Sequence, residues 1–86
     1  MAVKETRVEV EINGEYYKLK GEESPEHMIM VSQHVDRVIK QVIARNPKLP
    51  YTSAAVLAAV NIASELTKLQ QDYDNLVRMM DTDSKD

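Results

Sequence analysis

The chain has 86 residues and a net charge of −3, with no Cys, Trp or Phe and four Tyr as its only aromatics. That size limits it to one small domain, and the missing cysteines remove disulfides and thiolate zinc sites, so a partner chain is the expected source of further burial. The acidic balance argues against a general nucleic-acid binder, which needs a basic excess for the phosphates.

Residues 6–20 alternate, with Val8, Val10 and Ile12 on one face and Arg7, Glu9 and Glu11 on the other. Asn13-Gly14 then predicts a two-residue type I′ turn, in which both positions need positive φ. Such a loop pairs Ile12 with Glu15, Val10 with Tyr17 and Val8 with Leu19, and sets Glu9 opposite Lys18. Val8, Val10, Tyr17 and Leu19 share one face. A lone hairpin is marginal in water, so something must cover that face.

Gly21 and Glu22-Glu23 end the hairpin, and Ser24-Pro25-Glu26 reads as a helix start, with Ser24 as N-cap. The helix is expected over residues 25–45, because Pro47 disfavours helix at the residue before it. Its apolar stripe is Met28, Val31, Val35, Val38 and Val42, widened by Ile39 and Ile43, and its polar face holds Gln33, Arg37 and Lys40.

After the stiff connection Pro47–Pro50, Thr52 or Ser53 is placed to cap a second helix running from about residue 53 to 80. Ala55, Ala59, Ile62, Leu66, Leu69, Tyr73, Leu76 and Met80 recur with alternating steps of four and three, a heptad seam. From Ala54 to Ala63 nearly every position is apolar, which fits a helix buried on several sides. After Ser64 only the seam stays apolar. The expected class is therefore α+β: an N-terminal β-hairpin, one middle helix, and one long C-terminal helix forming a dimeric coiled coil. Residues 1–63 would form a head (hairpin 6–20, helix 25–45, start of helix two), 64–80 a coiled-coil extension, and 81–86 a disordered tail.

Few residues point to chemistry. His27 and His34 lie too far apart for the i, i+4 pairing of a metal site on one helix and read as solvated helix residues. The only glycines are Gly14 and Gly21, so no phosphate loop exists, and no carboxylate stands in an apolar setting that would raise its pKa. No catalytic, cofactor-binding or metal site is expected, and no enzyme activity. The longest apolar run, Ala54–Val60, is far short of the roughly 18 residues of a membrane span. Met1–Glu5 shows no apolar signal region, so a cytoplasmic location is expected.

Three features admit two readings. Arg37, Lys40, Arg45 and Lys48 form a locally basic stretch, read as a solvated face or as a docking surface for an acidic partner. Leu57 lies opposite the seam, read as packed beneath the first helix or the hairpin, or as an exposed partner anchor. Asn61, inside the apolar block, is expected to be buried and hydrogen-bonded to nearby backbone.

The hairpin Ile12–Leu19, then Gly21-Glu22-Glu23-Ser24 with His27-Met28, and the block Ala55–Leu66 together resemble the ZapA family of bacterial cell-division accessory proteins. The ending Asp72–Met80 is similar to the short Gram-positive type. The resemblance implies a homodimer with parallel helices that binds the tubulin-like GTPase FtsZ at the mid-cell division site. It also implies that the dimer cross-links or bundles FtsZ protofilaments, with no cofactor. The extension is only about two heptads long, so the tetramer that longer members form stays open. Candidate FtsZ contacts are Glu15 at the hairpin tip, Thr52 at the start of helix two, the basic residues Arg37, Lys40 and Lys48, and Leu57. The alternative is a dimeric coiled-coil adaptor or regulator for another cytoplasmic partner.

Overall fold

Strands β1 (Thr6–Ile12) and β2 (Glu15–Gly21) pair antiparallel in the computed structural model, which describes residues 5–84. The register is the expected one: Ile12 opposite Glu15, Val10 opposite Tyr17, Val8 opposite Leu19, and Glu9 opposite Lys18. At the turn Asn13 has φ 51° and Gly14 φ 85°, the pair of left-handed conformations that a type I′ turn requires. Burial alternates along β1, where Val10 is buried and Arg7, Glu9 and Glu11 face solvent.

Helix α1 spans Pro25–Arg45, as predicted. Ser24 caps it by accepting the His27 N–H at 3.1 Å, and Pro25 opens the first turn with its φ preset for helix. At the other end the Asn46 N–H reaches back to the Val42 carbonyl before Pro47. Ser32 is buried on this helix and satisfies its hydroxyl by donating to the Met28 carbonyl at 2.8 Å.

Helix α2 spans Tyr51–Ser84 and departs from expectation at both ends. It starts before Thr52 and Ser53, because a hydrogen bond from Leu49 N–H to Asn46 O closes the connection and the Pro50 carbonyl accepts Ala54 N–H. Neither Thr52 nor Ser53 is the cap. The helix also continues past Met80, since nothing from Asp81 to Ser84 is a Gly or Pro that would stop it. Residues 85 and 86 of the expected tail lie outside the described residues, as do residues 1–4 of the expected head.

The core is small. Val38, Ile39 and Val42 of α1 close on Ala54 and Ala58 of α2, with Ile12, Val35, Ile43, Leu49 and Ile62 packed around them. Two alanines let the helix axes approach closely, because interaxial distance follows the side chains at the contact. α1 is the central element, packed against β1 on one side and α2 on the other.

Three expectations about this core need correction. Val31 is 46 % exposed, because α1 and α2 are in contact near their connection and Val31 lies a turn beyond that contact. Asn61 is exposed and its side chain makes no hydrogen bond among the described residues, since it borders an opening between α1 and α2 rather than the closed contact at Ala54 and Ala58. The block Ala54–Ala63 is buried toward α1 alone, and Val56 on its far side is 58 % exposed.

The chain measures 56 × 45 × 15 Å, with a radius of gyration of 17.9 Å. A compact domain of this length would have a radius near ~12 Å. Its thinnest dimension barely exceeds the roughly 10–12 Å diameter of one helix with its side chains. Hairpin, α1 and α2 lie side by side as a single layer, and both broad faces of the layer are open.

Candidate dimer seam and docking surface

The predicted seam divides into two parts. Ala55 and Ile62 are half-buried beside α1, with Ile62 packed on the core cluster. From Leu66 onward α2 leaves α1, and Leu66, Leu69, Tyr73, Leu76 and Met80 each stand more than half exposed, Leu69 at 66 %. These five side chains lie on one stripe of an amphipathic helix, and within this chain nothing covers them. Ala59, at the border between the two parts, is also exposed.

Where α1 and α2 part, a polar clasp joins them. His34 Nε2 lies 3.0 Å from Glu65 Oε1, and Arg37 Nη2 lies 3.4 Å from His34 Nδ1. The network fits the imidazole tautomer that donates from Nε2 to the carboxylate and accepts from Arg37 at Nδ1. His34 is therefore not simply a solvated residue. The pairing is legible only from the helical hairpin: stepping back by four along α1 while stepping forward by four along α2 brings His34 toward Ile62 and Glu65.

The candidate contacts fall into separate groups. Arg37 is turned toward His34, and Lys40 Nζ is held by Asp36 Oδ2 at 3.1 Å. The same carboxylate accepts the Asn13 backbone N–H through Oδ1 at 2.7 Å. That hydrogen bond first, and Lys40 second, hold the Asp36 pKa below its ordinary value.

Glu15 and the start of α2 are brought together by two tyrosines, Tyr17 of the hairpin's apolar face and Tyr51, neither of them among the predicted contact residues. The Tyr17 hydroxyl donates to Glu15 Oε1 at 3.2 Å. Its pKa is pushed up to about 12, chiefly by a hydrogen bond with the Tyr51 side chain, next by burial, and then by Glu15. Tyr51 immediately precedes Thr52, so hairpin tip and helix start form one surface.

Leu57 is 42 % exposed, not packed beneath the hairpin. With Gln41, Val42, Arg45, Asn46 and Asn61 it lines a groove of about 250 Å³ between the end of α1 and the first turns of α2. Of the FtsZ-contact candidates only Leu57 reaches this groove; the sequence reads Arg45 only as part of the basic stretch and Asn61 as a buried structural amide, and Gln41 is missed. The basic stretch that includes Arg45 is also free of acids, since no carboxylate occurs between Asp36 and Glu65. Among the described residues no cluster of His, Cys, Asp or Glu is placed to hold a metal ion, and no helix is long and apolar enough to cross a membrane.

Residues 8–85, nearly the whole of this hairpin and helix pair, match the family model described as cell division protein ZapA. The chain belongs to the ZapA family. It is 46 % identical over 71 residues to a cell division protein ZapA of Geobacillus thermodenitrificans, covering 83 % of this chain and 78 % of the relative. A Bacillus thuringiensis ZapA is 38 % identical over 77 residues, covering 90 % and 86 % of the two chains. Among solved structures, a ZapA mutant dimer from Geobacillus stearothermophilus superposes with a TM-score of 0.70 at 39 % identity, covering 90 % of each chain. The sequence resemblance to ZapA and the hairpin-plus-two-helix fold therefore stand, and the chain is one of a family of cell-division proteins.

Proposed function

We propose that this chain works as a cytoplasmic homodimer that binds FtsZ and cross-links its protofilaments at the mid-cell division site. The observation that carries the dimer is the uncovered stripe Leu66–Met80 on a molecule one layer thick. A second copy supplies the missing layer, with Ala55, Ala59, Ile62, Leu66, Leu69, Tyr73, Leu76 and Met80 as the seam. The solved ZapA dimer is a relative of matching fold, which supports the same assembly here.

Two-fold symmetry gives such a dimer two equivalent docking surfaces. Weak contacts at each become strong between adjacent filaments, because the second binding event is intramolecular. Binding and bridging need no catalytic group on this chain. The hairpin tip at Glu15 and the helix start at Thr52, joined through Tyr17 and Tyr51, form one candidate contact surface. Leu57 and Lys48, at the connection end of the helices, belong to a second, while Arg37 and Lys40 are engaged within α1.

Pelleting of purified FtsZ filaments with and without the protein tests the reading. Co-pelleting and increased light scattering are expected. A dimer that leaves FtsZ unbundled and in the supernatant would point to the adaptor role for another partner.

A further inference from the structure

We propose that the groove between the C-terminal end of α1 and the first turns of α2 docks an extended, acidic segment of the partner protein. The inference rests on the filament-binding reading only in assigning that segment to FtsZ.

None of the six lining residues is acidic, and the charged one, Arg45, forms no ion pair among the described residues. It stands within the carboxylate-free stretch from Arg37 to Ser64, in a chain whose net charge is −3. Lys40, by contrast, is already neutralised by Asp36. Arg45 is thus the groove's available cation, with the fork geometry that takes a carboxylate through two N–H donors.

Gln41 and Asn61 add side-chain amides from α1 and α2, and neither amide makes a hydrogen bond among the described residues. A side-chain amide offers both a donor and an acceptor, which matches the N–H and C=O of an extended backbone. Leu57 and Val42 supply an apolar floor for a side chain of that segment. At about 250 Å³ the groove is smaller than the roughly 300–1,000 Å³ of small-molecule sites, and it is partly open to solvent.

A second copy does not fit as the occupant. Leu57, Asn61, Ser64 and Lys68 follow one another along a single stripe of α2, and that stripe turns polar just past Leu57. At about 100° per residue it lies well away from the seam that begins at Ala55 and Ala59. A dimer joined along the seam leaves the groove open on both copies.

Arg45→Glu and Leu57→Ser test the site, with Lys18→Glu on the outer face of β2 as a charge-matched control. FtsZ pelleting is read beside fluorescence anisotropy with a labelled synthetic peptide of alternating Asp and Leu, and light scattering gives the mass. Arg45→Glu and Leu57→Ser are expected to weaken FtsZ binding by about tenfold or more, at unchanged mass, while Lys18→Glu binds as before. Wild-type pelleting by both groove variants would overturn the groove and leave the filament reading standing. If the unmodified protein pellets no FtsZ, the filament reading fails and the peptide decides alone. Capture by the unmodified protein with release by Arg45→Glu upholds the groove, and no capture overturns it. A halved mass in either variant makes the groove a contact between copies and also overturns the proposal.

Discussion

Asn13 and Asp36 are joined by a hydrogen bond of 2.7 Å that ties the hairpin turn to the middle of α1. The donor is a backbone N–H in a turn whose shape is set by Asn13-Gly14, so local turn chemistry positions a tertiary contact. β1 packs on α1 through the buried Val10 and the half-buried Ile12, and this carboxylate adds a polar anchor at the turn.

A pH dependence follows with a definite sign. The folded state lowers the Asp36 pKa, so its stabilisation is present above the ordinary value of 3.8 and is lost as pH falls through the depressed folded value. Asp36→Asn should therefore lower the melting temperature at neutral pH. The gap to wild type should close as pH falls below 3.8. Faster hydrogen exchange at the Asn13 amide in this variant locates the effect at the turn.

Tyr17 behaves in the opposite sense. Its hydroxyl is held in the protonated form, with a pKa of about 12 against the ordinary 10.0. Its contribution to stability is complete below pH 10.0 and declines as pH rises toward about 12. An ultraviolet titration of the four tyrosines should show one ionising late, and Tyr51→Phe should bring it back toward the ordinary value. Persistence of the late step in Tyr51→Phe would leave burial and Glu15 as its causes.

The contact between α1 and α2 rests on small side chains. Ala58 is 1 % exposed and faces Val38, Ile39 and Val42. Ala58→Leu forces the helices apart and should lower stability by about 1–3 kcal/mol in denaturant unfolding. The same variant should break the pairing of His34 with Glu65, visible as a shift in the His34 ring resonances. Weakening that hydrogen bond alone, by Glu65→Gln, should change stability by only about 0–1 kcal/mol, because both side chains are half exposed.

Features set by short stretches of chain were legible in the sequence. Asn13-Gly14 determined the turn and hence the register, while Ser24-Pro25 and Pro47 bounded α1. Features that depend on where two helices meet and part were not. Periodicity placed Val31 and Asn61 on apolar stretches, yet both are exposed, Val31 because it lies beyond the α1–α2 contact and Asn61 because it opens onto the groove beside that contact. The His34–Glu65 clasp and the groove around Arg45 share this origin. Each combines residues from two helices whose relative register appears only once the connection is folded.

Leu66 tests the seam most directly. It is 57 % exposed in the single chain, so truncating it removes little from this chain's own packing. If a second copy covers it, Leu66→Ala should weaken the assembly by about 2–5 kcal/mol, as for other buried leucines. Sedimentation should then shift toward half the wild-type mass at low protein concentration. The melting temperature of the wild type should rise with concentration, as mass action requires of a folded dimer, and the dependence should steepen in the variant. A monomeric wild type whose melting temperature ignores concentration would remove the seam, and with it the second docking surface on which cross-linking depends.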